Sequence, residues 1–134
     1  MKTLKFLTLI AMLAATPALA LEPLNTEKHI NDSLVAGRVG DVIRSTCPSI
    51  SAKMFVVLQK LNDLESYARD KGYKEADVKA FLKDKTEKAR IKGLAAAYLK
   101  AAGAVEGDAE SYCKVGRDEI AKGTLAGTLL RSWK

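Results

Sequence analysis

One histidine, two cysteines and one tryptophan are all that 134 residues hold of those types, and each scarcity closes a class of function. A lone histidine, His29, rules out a histidine metal cluster within one chain, and with both thiols expected in a bridge no zinc site is left. There is no C-x-x-C pair to lower a thiol pKa, no C-x-x-C-H for haem, no glycine-rich phosphate loop, no G-x-S-x-G elbow and no EF-hand spacing. Aromatics make up 6% of the chain, and basic residues are interleaved with acids, as in Lys83, Asp84, Lys85, Glu87, Lys88 and Arg90. Nucleic-acid binding asks for a stripe of one sign with stacking rings, so it is not expected. Such a mixed run reads as a solvated helix face with i,i+4 pairs. No apolar run reaches the roughly 18 to 20 residues that a spanning helix needs. No metal, no cofactor and no catalytic constellation is therefore expected, and His29 reads as a partly exposed surface residue.

What the sequence does have begins at its start. Lys2 and Lys5, the apolar stretch from Phe6 to Leu13, and Ala18-Leu19-Ala20 have the layout of a secretory signal peptide cleaved after Ala20. Cleavage takes 20 of the 134 residues, leaves about 114, enough for one domain over residues 21–134, and removes two lysines, so that a formal charge of +6 becomes about +4. A periplasmic location follows, and no cysteine after Ala20 offers a lipid attachment point.

In an oxidising compartment Cys47 and Cys113 are expected to form a disulfide, the alternative being a redox pair. They lie 66 residues apart, a loop whose closure removes roughly 4 kcal/mol of unfolded-chain entropy. Pro48 fits a chain reversal directly after the first of them.

Helical periodicity dominates the rest. Asn25 is placed to cap a first helix to about Thr46, with Ile30, Leu34, Val35, Val39, Val42 and Ile43 on one side. Gly37 and Gly40 within it suggest either a close backbone approach or a kink. A second helix is predicted from about Ala52 to Asp70, with Phe55, Leu58, Leu61 and Leu64 along one side and Gly72 as its left-handed stop. A third runs from Lys74 to Lys83, and a fourth from Thr86 to a stop at Gly103, unless the two join. Asp108 opens a fifth carrying Cys113, Val115 and Ile120, interrupted at Gly123. The tail, with Leu125, Leu129, Leu130 and Trp133, suits a last turn or two packed on the body. No strand alternation is visible, so the expectation is an all-α bundle of four to five helices with one disulfide.

Several words in the chain are more specific than periodicity. Pro23-Leu24-Asn25 with Ile30-Asn31-Asp32, Thr46-Cys47-Pro48-Ser49-Ile50, Lys88-Ala89-Arg90-Ile91, Ser111-Tyr112-Cys113, and Gly116-Arg117 with Glu119-Ile120-Ala121-Lys122-Gly123 together resemble DUF5333, a family of small exported alphaproteobacterial proteins. The resemblance implies a single-domain periplasmic protein and supplies no catalytic residues.

With no reactive constellation present, the leading functional expectation is a non-enzymatic binding or accessory protein that docks onto an envelope partner. Leu129, Leu130 and Trp133 are its candidate interface, core packing of that tail being the alternative. A small periplasmic acid-stress chaperone is the second class, resting on a weaker likeness and on sixteen carboxylates that acidification neutralises. An enzyme working through carboxylates and Tyr67, Tyr73, Tyr98 or Tyr112 is the third and least expected.

Overall fold

The computed structural model describes residues 20–133. The expected signal peptide, residues 1–20, lies outside them but for Ala20, as does Lys134. The elements are α1 (Lys28–Thr46), β1 (Ile50–Ala52), α2 (Met54–Lys71), α3 (Glu75–Lys83), α4 (Lys85–Ala101), α5 (Ala109–Lys122), α6 (Leu125–Thr128) and β2 (Leu130–Ser132). The fold is mostly helical with one disulfide, as expected, and a short antiparallel sheet is added to it.

α1 is the central helix. α4, α5, α6 and β1 all pack against it, because its apolar residues recur at helical spacing and Val39 and Ile43 are almost wholly shielded. Around them Ile50, Ala95, Leu99, Val115, Ala126 and Leu130 complete one contiguous core. Each fully buried side chain of the size of Ile43 or Leu130 contributes about 1.5–3 kcal/mol of transfer free energy.

Gly40 packs against the tail at ordinary van der Waals distance, so the close approach anticipated within α1 does not demand glycine there. A Cβ there would sit 3.7 Å from Leu130 and 3.9 Å from the carbonyl of Ala126. Gly37, by contrast, faces open space with nothing within 4 Å.

Several boundaries differ from the sequence expectation, each for a local reason. α1 starts after Asn25, because Pro23 to Thr26 forms a turn closed by Thr26 N–H to Pro23 O, 2.9 Å, and the cap is the Glu27 carboxylate, which accepts from Ile30 N–H. The third and fourth helices are separate: Asp84 ends α3 in extended geometry and caps α4 through Glu87 N–H at 2.9 Å. α2 begins at Met54 rather than Ala52, because residues 50–52 pair with the tail in the register Ile50 to Ser132, Ser51 to Arg131 and Ala52 to Leu130. The tail is therefore one helical turn followed by a strand. Three-residue strands are too short to show alternation, which is why they were invisible in the sequence.

α2 is amphipathic, yet it is held away from the body. Of its 18 residues Ala68 alone is fully buried, and the apolar side read from the sequence is largely open to solvent.

Candidate functional site

Three of the four joints of the fold include residues of the words quoted from the sequence. Asn31 sits in α1 with its amide donating to Leu24 O at 2.8 Å and Glu27 O at 2.7 Å, which holds the N-terminal turn against the helix. Its carbonyl accepts from Arg90 of α4. Arg90 also grips Glu87 at 2.7 Å, and Glu87 accepts from Asn25 at 3.2 Å. One polar network thus bolts α4 to α1 and to the segment before it.

The second joint is sulfur. Cys47 and Cys113 are bonded, with Cα atoms 5.1 Å apart, inside the normal range, and both are buried. Beside them Gly116 of α5 lies under Ile50 and Ile43, where a Cβ would come within 2.4 Å and 2.7 Å of their side chains.

A third joint lies at the other end of α5. The Glu119 carboxylate, 4% exposed, accepts from Tyr98 of α4 at 2.8 and 2.9 Å and from the Thr124 hydroxyl. Thr124 in turn accepts from Gly127 N–H at 3.0 Å as the cap of α6.

Glu27 is the fourth and ties down α2. Its carboxylate is 3% exposed, accepts from Ile30 N–H at 2.6 Å and from the Tyr67 hydroxyl at 2.6 Å, and has the Lys71 ammonium 3.7 Å away. Burial pushes the carboxyl upward, but the Tyr67 and Ile30 bonds and the Lys71 charge outweigh it and hold Glu27 below the usual carboxylate range. The bond to Glu27 raises the Tyr67 phenol. His29 is exposed and packs against the Tyr67 ring, centroids 4.3 Å apart.

Between these joints the surface opens. α1, α2 and α6 bound a cleft of about 540 Å³. Its walls are Leu34 of α1, Val57, Leu61 and Leu64 of α2, Leu125 of α6, and Leu129 just after it, with Gly37 at the floor. Arg38 and Asp41 line it on the α1 side, Lys60 and Asp63 on the α2 side. Arg38 also lines two grooves of about 530 and 670 Å³ beside α4, sharing both with Lys92.

Of the residues singled out in the tail, Leu130 is fully buried and Leu129 is 8% exposed, so both serve the core; Trp133 stays 66% exposed, with the Arg131 guanidinium 5.7 Å from its ring. Among the exposed apolar side chains that the sequence did not single out as a surface are Met54, Phe55 and Leu58 of α2. Of the four tyrosines, Tyr67 and Tyr98 each bond one structural carboxylate, Tyr73 bonds Glu22 O at 2.7 Å, and Tyr112 packs on the core. Among the described residues no group of three or more metal-binding side chains is assembled, and no helix is long and apolar enough to cross a membrane.

No curated protein and no solved structure matches the chain. Residues 22–131 match a family of unknown function, DUF5333. That match runs from the residue before the Pro23 turn into β2 and takes in all four joints, and the chain belongs to DUF5333.

Proposed function

We propose that the protein is a non-enzymatic binding or accessory protein of the periplasm, which docks onto an envelope partner through the apolar side of α2. The observation that carries this reading is the exposure of that helix: Phe55 is 91%, Met54 59% and Leu58 53% exposed. Large side chains of these types clustered on one surface are the composition of an interface centre, and Phe and Met are enriched there. Trp133 is a further exposed ring, whereas Leu129 and Leu130 belong to the core. The disulfide supports an oxidising compartment.

The test is capture from envelope extracts under mild crosslinking, comparing the wild type with a Phe55→Ser, Leu58→Ser double variant. Both positions are exposed, so the fold is retained while the surface is lost. A stoichiometric partner that disappears with the variant supports docking through α2; the same partner held equally by both proteins refutes it. Truncating residues 124–134 would not test the tail, since it removes Leu130 and β2, and Trp133→Ala is the clean probe.

The acid-stress chaperone reading has one observation in its favour. α2 is clamped by a buried carboxylate, and protonation of Glu27 weakens that clamp. It requires that at about pH 3 the protein binds apolar dyes and suppresses aggregation of a client. A protein that stays folded and inert there is not such a chaperone.

A further inference from the structure

We infer that the cleft between α1, α2 and α6 binds a single-chain anionic amphiphile, a long-chain carboxylate, with its tail among the leucines and its head on Arg38. The inference goes beyond partner docking: the cleft takes Leu61 and Leu64 from the apolar side of α2, whereas Met54, Phe55 and Leu58, on which the docking reading rests, do not line it.

Three observations converge on it. The first is size, since about 540 Å³ lies within the roughly 300–1,000 Å³ of small-molecule sites, and the walls are six Leu and Val side chains with open floor at Gly37.

The second is the state of Arg38. Its Nε is shielded from solvent and has no hydrogen-bond partner in the protein, and its Nη1 makes a long 3.4 Å contact to Asp41 Oδ2. The other Asp41 oxygen is held by Arg44 at 2.5 Å. One carboxylate divided between two arginines leaves the Nη donors of Arg38 weakly engaged, and it is these, not the shielded Nε, that can receive a carboxylate in bidentate fashion.

The third is the charge around it. The two grooves that Arg38 shares with α4 bring up Lys88, Lys92 and Lys100 against Glu87 and Glu106, and Glu87 is already committed to Arg90 and Asn25. On the α2 rim Lys60 and Asp63 offset each other. An anionic head is drawn to Arg38, which is common to the cleft and both grooves, while the leucine-lined walls disfavour a second charge by the cost of burying one unpaired.

The experiment is calorimetric titration of the purified protein with dodecanoate below its micelle concentration, beside butyrate and the neutral glycerol ester of dodecanoic acid. Dodecanoate is expected to bind one to one. Butyrate, lacking the tail, should bind more than about a hundredfold more weakly, and the neutral ester about tenfold more weakly. Arg38→Gln should weaken dodecanoate about tenfold and leave the ester unchanged, with Arg38→Lys recovering part of the loss. Leu61→Gln, at a half-exposed position, should weaken both ligands. Absence of saturable dodecanoate binding, equal binding of butyrate, or equal binding of the ester by the wild type overturns the inference without any variant. Unaltered dodecanoate affinity in a folded Arg38→Gln protein overturns it too. A partner captured through α2 in a protein that binds no carboxylate leaves the docking proposal standing and removes this one.

Discussion

Replacing Glu27 by glutamine tests how α2 is held. Glutamine keeps the size of the side chain but carries no charge and only one acceptor oxygen. That oxygen can accept from Ile30 N–H, while the NH2 stands where Tyr67 Oη donated, so the hydroxyl must turn to accept instead. Both bonds fall from charge-assisted to neutral strength. That difference is about 1 kcal/mol per bond, or about 2 kcal/mol for the pair. Lys71 adds little, because its side chain is 43% exposed and solvent screens it. Ala68 is the one fully buried residue of α2, so little else opposes its release. Urea denaturation should show the loss at neutral pH, and native-state hydrogen exchange should show α2 amides opening about thirtyfold more readily.

The pH dependence gives the sharper check. Glu27 is held below its ordinary value of 4.5, so its contribution is complete above that pH and is lost as pH falls through the lower folded value. The gap between wild type and Glu27→Gln should therefore be widest near neutrality and close on acidification, when the wild-type carboxyl is itself neutral. His29 and Glu22, which lie nearby, are present in both proteins and cancel in the comparison to first order. A gap under about 0.5 kcal/mol at neutral pH, or one that stays constant into acid, would refute the clamp.

Three other perturbations have definite outcomes. Replacing Cys47 and Cys113 by alanine should cost roughly 4 kcal/mol and lower the thermal midpoint by about 15 °C or more in a scanning calorimeter. Gly127→Ala should destabilise by more than about 3 kcal/mol in denaturant titration, since the new Cβ would lie 2.0 Å from the backbone oxygen of Glu119, which cannot swing aside as a side chain would; Gly93→Ala, in open space within α4, should instead stabilise by about 0.5–1 kcal/mol. Tyr98→Phe takes one donor from buried Glu119 while Thr124 remains, and should cost about 1–3 kcal/mol of chemical stability.

The helices were legible because their signals are local. Gly72 and Gly123 stop α2 and α5 with φ of 103° and 63°, Asp108 caps α5, and the spacing of Val39 and Ile43 marks the buried side of α1. The disulfide followed from cysteine arithmetic. What escaped were features set by partners far along the chain. Glu27 caps α1 in place of Asn25 because Tyr67, forty residues on, supplies its second bond. Residues 50–52 are a strand because the tail returns to them. The cleft escaped for the same reason: Leu61 and Leu64 have the spacing of core residues, and nothing local says that α2 stands off from α1 instead of closing onto it. Arg38 carried no motif at all, and its role rests on its place at the cleft and on an Asp41 shared with Arg44, which appear only when α1 and its neighbours are assembled.

The sulfur bridge joins the end of α1 to α5, and everything from α2 to α4 is an excursion between its two ends. A protease that cut the exposed turn at Lys71 or Lys74 would sever the polypeptide without separating its halves. Such a clipped molecule would travel as one band on a gel run without reductant and as two fragments once thiol is added. Around that turn the chain can be broken while the body built on α1 and α5 stays covalently whole.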